Sequence, residues 1–453
     1  MSVLFSVDRK RPRRQLSLPS SSRHHNVRYR MSKAIIETLA NGLTVIVEPM
    51  LHLRSVAYDL SIPGGELLDL EGEVGGGSLT QELVTRGAAG IGAFELSNRF
   101  DEAGISHGEG AGFDRVSFTG ACLPTSLRTG LGLVADMVMR PTLDEAEVAS
   151  IKAVMVQDIT SIPDSPSRHA SLAFEQEYFS APFNRPSCGR LADIEAFTGG
   201  GARATWERLY RPDGACLSIA GNINPSEVIS DIKQLFADWR GTGGVLPRNA
   251  ELQSGKAFFV PSPSEQVQIV LGYPSAPFLS EHYYAARVVN VVLSGGMFGR
   301  LFVEVREKRG LCYSVHSSHI GQREFGYVRA YAGTTPDRAK TTLEVMTAEL
   351  GRVEGTVSAE ELERAKGNLR ASLVMGLESP ISRASANLSE WWMKRRVRSI
   401  EEIEAAVDCV DEGAIDRYVA TFSPAAASVL TLGPEPLLPD SAEVTLRAML
   451  GAA

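Results

Sequence analysis

The chain has 453 residues, 43% of them hydrophobic and 22% charged, with a net charge of −8; that length exceeds what one hydrophobic core usually supports and predicts two or more domains. The composition is that of an ordinary soluble globular protein, no run approaches the ~18 apolar residues that span a bilayer, and the acidic balance argues against nucleic acid as a partner. Cys122, Cys188, Cys216, Cys312 and Cys409 are scattered without metal-binding spacing and read as reduced residues of a reducing compartment.

Residues 1–30 carry eight Arg or Lys against the single acid Asp8, a net +7 that leaves the rest of the chain at −15 (−8 minus +7). This segment is expected to be a disordered basic extension, either an organellar presequence or an over-extended start ahead of Met31. Gly42–Glu48 and Ser55–Ile62 are short, partly alternating runs that predict strands. A Gly-rich lead opens a helix at Ser78, Val116–Cys122 predicts a strand, and Leu127, Leu131, Val134 and Val138 fall at helical spacing before Pro141. Cys216–Ala220 reads as a strand that turns at Gly221–Pro225 into another helix.

The organisation rests on an internal repeat. Residues 144–179 match residues 358–392: Lys152 corresponds to Lys366 and Ser165-Pro166 to Ser379-Pro380, each 214 positions on (366 − 152 and 379 − 165). Both copies begin with an acidic helix start and break at Ser-Pro before Ser-Arg opens a new helix. Glycine and proline cluster over Trp239–Pro247. The expected domains are 31–240 and 257–453, joined by a linker at 241–256, each an α+β unit with helices packed on a sheet.

Ser78, Gln81 and Glu82 stand at i, i+3 and i+4, one face of a helix. This is the spacing of the inverted zinc motif His-x-x-Glu-His, in which two imidazoles one turn apart hold the metal and the Glu between them activates water. Here Ser78 and Glu82 occupy the imidazole positions. Gln81 occupies the base position and cannot take a proton at neutral pH.

With this frame, Asn41-Gly-Leu-Thr-Val, Arg140-Pro-Thr-Leu, Gly221-Asn-Ile-Asn-Pro, Leu293-Ser-Gly-Gly-Met-Phe-Gly-Arg-Leu-Phe302 and Arg306-Glu-Lys-Arg-Gly-Leu-Cys-Tyr313 together resemble the pitrilysin/insulinase family of metallopeptidases. The resemblance runs from about Asn41 to about Pro434. It implies two homologous domains, each a mostly antiparallel sheet with helices on it, in a subunit that works as one of a pair. The family's third ligand, a Glu, falls on Asp158, 76 residues after Glu82 (158 − 82), and a further family Glu falls on Ile151. These degenerate positions imply no metal and no cofactor in this chain. His316 and His319 do not replace the lost ligands, because i and i+3 of a strand face opposite sides.

The same resemblance implies that Arg306 and Tyr313 are retained to hold the substrate and the developing oxyanion, with Arg309-Gly310 supplying the turn between them. The bland alternative is an ion pair of Arg306 with Glu304 or Glu307 beside a merely packed Tyr313. The expected function is a zinc-lacking subunit of a heterodimeric zinc metalloendopeptidase, inactive alone and giving Arg306 and Tyr313 in trans. Its expected partners are a homologous zinc-binding subunit and a peptide or unfolded polypeptide, which would add to a sheet edge near Ser106–Phe113. The runner-up is a structural scaffold related to the core proteins of respiratory complexes. The expected location is the bacterial cytoplasm, or the mitochondrial matrix if residues 1–30 are a presequence.

Overall fold

The computed structural model describes residues 34–438; the basic extension expected over 1–30 lies outside them. In the first half the apolar runs become β1 (Ile35–Thr38), β2 (Thr44–Pro49), β3 (Val56–Pro63), the short pair β4 (Gly87–Ala88) and β5 (Ile91–Gly92), β6 (Ser106–Ala111), β7 (Arg115–Cys122) and β8 (Cys216–Gly221). All but β4 and β5 form one sheet in the order β1-β2-β8-β3-β7-β6. Only β2 and β8 are parallel neighbours.

The second half supplies β9 (Ala257–Pro261), β10 (Val267–Pro274), β11 (Cys312–Gly321), β12 (Gly326–Thr334) and β13 (Ser428–Gly433), ordered β11-β12-β10-β13-β9. Here too a single pair, β9 with β13, is parallel. Strand for strand, β2, β3, β6, β7 and β8 match β9, β10, β11, β12 and β13. The fold is α+β, and the duplication read in the sequence is a duplication of the architecture.

The repeat residues have a common physical role. Lys152, on the helix Glu145–Thr160, donates Nζ to the main-chain oxygens of Glu195 and Phe197 at the end of the helix Leu191–Ala196. Lys366, on Ala359–Gly376, donates to the Asp408 oxygen that ends the helix Ile400–Asp408. In both halves an ammonium therefore satisfies carbonyls orphaned at a helix C-terminus.

The helices that follow each Ser-Pro break are exchanged. Pro166–Tyr178 leaves the first half and packs on β10 and β13, while Pro380–Lys394 leaves the second half and packs on β3 and β8. Ala170, Phe174 and Tyr178 pack with Val270, Tyr327, Leu430 and Leu432. Gly272 of β10 makes this possible, because a Cβ there would lie 2.3 Å from the Phe174 ring. Leu388 and Trp392 pack in return on Ile46 and Cys216.

Polar anchors fix the second exchanged helix. Arg383 meets Glu48 of β2 through two parallel bonds of 2.8 Å, and Asn387 Nδ2 donates to the same carboxylate at 2.6 Å. The side chains of Arg383 and Glu48 are only 7% and 4% exposed. Ser385 donates to Asp59 at 2.7 Å and Trp392 Nε1 to Asp114 at 2.7 Å. Burial pushes the Asp59 carboxyl up, and its bonds with Ser385 and Ser61 and the charge of Arg115 oppose the rise.

A buried ion pair is costly to break from one side, since the remaining charge keeps its desolvation penalty. Arg383→Met is therefore expected to lower the unfolding free energy by about 3–5 kcal/mol, measured by urea denaturation, and the double variant Glu48→Met/Arg383→Met is expected to recover much of the loss. A loss below about 1 kcal/mol for Arg383→Met would contradict the anchoring role.

Candidate functional site

The helix Gly76–Val84 is started by Asp69, whose carboxylate accepts from the N–H groups of Gly75 at 2.7 Å and Gly77 at 2.8 Å. The glycines ahead of Ser78 are required for packing: Gly75 has φ +100°, and a Cβ on Gly76 would lie 2.5 Å from the Phe197 ring. Burial pushes the Asp69 carboxyl up to about 6 although both N–H groups stabilise its charge. The helix so placed presents Ser78, Gln81 and Glu82 to a cleft of about 430 Å³, which Asp158 and Ile151 line from the helix Glu145–Thr160. All four degenerate zinc positions thus meet in one cleft.

The donors in the cleft do not fit zinc. Gln81 is buried and Glu82 is exposed and faces Arg86 at 3.8 Å. Asp158 is gripped by both terminal nitrogens of Arg168 at 2.7 and 2.6 Å, which hold its carboxyl below the usual carboxylate range. Among the described residues no group of three or more His, Cys, Asp or Glu is placed to hold a metal ion. A guanidinium supplies the positive charge beside Asp158, and the set has no imidazole and no base. Arg168 was not singled out from sequence, although the Ser-Arg dipeptide of the repeat marks it.

Next to this cleft, β6 is the outer strand of its sheet, and Glu109, Gly110 and Ala111 line the cleft wall. Among the described residues no strand pairs with the outer side of β6, so Ser106–Ala111 is an edge strand. His316 and His319 have different neighbours, as expected for i and i+3 of a strand: the first packs at a tilt against Tyr331, and the second bonds the Ala276 oxygen at 2.9 Å. Burial takes the His319 imidazole down to about 4.

Arg306 lies on a π-helical turn, Phe302–Glu307, in which the Lys308 N–H reaches back to the Val303 oxygen at 2.9 Å. Tyr313 is the extra residue of a bulge in β11, where Cys312 and Ser314 face the successive residues Thr334 and Gly333. The bulge turns the ring outward, leaving Tyr313 84% exposed. The Arg306 guanidinium sits 5.0 Å from the Tyr313 ring and 4.9 Å from that of Phe302, within cation–π range. Glu304 is taken by Lys308 and Arg309 at 2.7 and 2.6 Å. No carboxylate among the described residues pairs with Arg306, so the ion-pair alternative does not describe this side chain. Gly310, at φ +59°, makes the turn between the two.

Two α+β halves of duplicated topology, one bearing an inverted zinc-motif frame without its ligands, define a metallopeptidase-type architecture with a degenerate metal site. A family profile described as Peptidase M16 inactive domain matches residues 198–369, the part that holds Arg306 and Tyr313. The chain is similar to uncharacterised zinc proteases of Rickettsia felis, 27% identical over 76% of this chain and 84% of the relative, and of Bacillus subtilis strain 168, 26% identical over 83% and 92%. Its fold is similar to the crystal structure of a peptidase M16 inactive domain from Pseudomonas fluorescens, with TM-score 0.83, 21% identity and coverage of 89% of this chain and 99% of that one. It is also similar to a protease from Helicobacter pylori, with TM-score 0.81, 18% identity and coverage of 89% and 100%. The chain thus resembles the pitrilysin/insulinase, or M16, family of metallopeptidases in fold over most of its length, and residues 198–369 match that family's inactive-domain profile.

Restoring the lost ligands tests this account of the cleft. Ser78→His/Gln81→Glu/Glu82→His is expected to retain about one zinc per chain after dialysis, measured by elemental analysis. Adding Arg168→Ala, which frees Asp158, is expected to tighten zinc about tenfold or more in a chelator competition. Stoichiometric zinc in the unaltered chain would contradict the reading.

Proposed function

We propose that this chain is the zinc-lacking subunit of a two-chain metalloendopeptidase, in which a homologous partner bearing His-x-x-Glu-His supplies zinc. This chain closes the peptide chamber and contributes Arg306 and Tyr313 to the partner's site. The observation that carries the reading is the Arg306–Tyr313 stack: a guanidinium without a carboxylate partner among the described residues, beside a solvent-facing phenol. π-turns and bulges break regular hydrogen bonding and are over-represented at functional sites. Both groups are donors that carry no proton into the reaction, and they gain strength when a second chain excludes water around a developing oxyanion.

The same reading implies the substrate class. A chamber between two chains admits peptides and unfolded segments, and an extended segment pairs with an open strand such as β6. The five free cysteines support a reducing compartment, and we place the protein in the bacterial cytoplasm. Among the described residues no helix is long and apolar enough to cross a membrane.

Peptide cleavage by this chain, by the partner and by their mixture gives the test. The mixture alone is expected to be fully active, and a chelator is expected to abolish that activity. Arg306→Ala is expected to lower kcat of the mixture about 100-fold and Tyr313→Phe about tenfold, without loss of folding stability in either case. Chelator-sensitive cleavage by this chain alone, or a mixture indifferent to both substitutions, would overturn the proposal.

A further inference from the structure

Beside the degenerate cleft, and meeting it at Ser187, lies a second cavity of about 210 Å³. Its walls come from distant stretches: Phe113 follows β6, Phe183 follows the first exchanged helix, and Phe325 and Tyr327 come from the turn between β11 and β12 and the start of β12. The rings are locked edge to face, Phe183 with Phe325 at 5.2 Å and 82°, and Phe179 with Tyr327 at 5.0 Å and 79°.

Two carboxylates, Glu66 and Glu175, line the same space. Glu175 is paired with Arg329 at 2.5 Å. Glu66 is not paired: among the described residues neither a hydrogen bond nor an ion pair reaches its carboxylate. Arg185, the guanidinium on that wall, instead donates Nη1 to the main-chain oxygens of Glu66 and Leu67. Burial, reinforced by the charges of Glu175, Asp69 and Asp114, pushes the Glu66 carboxyl up to about 7. A carboxylate left without a counter-ion among aromatic faces is destabilising as an anion until a cation joins it. The electron-rich faces of the rings favour the same kind of guest.

We propose that this cavity binds an organic cation, a primary ammonium or guanidinium group, held between Glu66 and the rings of Phe113, Phe183 and Phe325. The space accommodates the charged end of a free amine, or the side chain of a lysine or arginine in a peptide lying along β6. The site stands on this chain alone and does not depend on Arg306, Tyr313 or a second subunit.

Calorimetric titration of the full chain without a partner tests it. The probes are agmatine, a peptide containing one arginine, and the same peptide with citrulline. Agmatine binding assigns a free-amine site. Preference for arginine over citrulline without agmatine binding assigns a peptide side chain. In the arm that binds, Glu66→Gln and Phe325→Leu are each expected to weaken affinity about tenfold or more. Because Glu66 must shed its proton and the guanidinium stays charged, affinity is expected to rise about tenfold from pH 6 to pH 8 and to lose that rise in Glu66→Gln. The proposal is overturned if neither agmatine nor the arginine peptide binds at millimolar concentration. Binding unchanged in folded Glu66→Gln and Phe325→Leu, each with an unaltered melting temperature, would overturn it equally.

Discussion

The structure depends on the reciprocal exchange of two helices. Each half builds a sheet and then sends the helix after its Ser-Pro break across to cover the other sheet, so the two halves complete each other's apolar layers. Apolar contact alone fixes such a crossing loosely, because hydrophobic burial has no direction. The buried Arg383–Glu48 pair supplies the direction: its two parallel bonds tolerate little rotation or sliding of the helix, and Asn387 fills a further acceptor site on Glu48. Such a pair fixes geometry more than it adds net stability.

The exchange also shapes the degenerate cleft. Arg168 sits in the first turn of the helix that crosses to the second sheet, and from there it grips Asp158 on the preceding helix. A monovalent, planar guanidinium satisfies the carboxylate that remains at a ligand position, without the imidazoles a zinc ion would demand. The second copy of the repeat uses its own Ser-Arg arginine differently: Arg383 reaches back to a strand of the other half. Duplication preserved the backbone and the Ser-Arg start while the two arginines acquired different partners.

Much of this was legible in the chain itself. The partly alternating run Ser55–Ile62 and the run Val116–Cys122 mark strands that are β3 and β7 in the structure, and Ser78, Gln81 and Glu82 at i, i+3 and i+4 identify the helical face that lines the cleft. The repeat makes Lys152 and Lys366 equivalent, and the structure gives them a common task at helix ends. The helix exchange was not legible, because the apolar stripe of Pro166–Tyr178 announces a buried face without saying which sheet buries it. The π-turn under Arg306 and the bulge at Tyr313 are set by hydrogen-bond register, which residue spacing does not encode. The cavity at Glu66 was hidden for a different reason: its rings and carboxylates are separated by up to about 260 residues and meet only where the exchanged segments cross.

The contrast between the two sites argues against an indifferent scaffold. At the degenerate cleft the chemistry has been neutralised: Gln81 is buried, and Glu82 and Asp158 both face arginines. At the other site the backbone departs from regular structure twice within twelve residues, Phe302 to Tyr313, to bring a guanidinium and a phenol together at the surface. Irregularities of this kind give up regular hydrogen bonds and persist where the surrounding fold enforces them. A scaffold would gain more from pairing Arg306 with the nearby Glu304, yet Lys308 and Arg309 occupy that carboxylate and leave Arg306 against aromatic rings. That contrast suits the proposed division of labour between two chains, in which the metal and base would be needed once per chamber, while the opposing wall would still present donors to the peptide attacked by the metal-activated water.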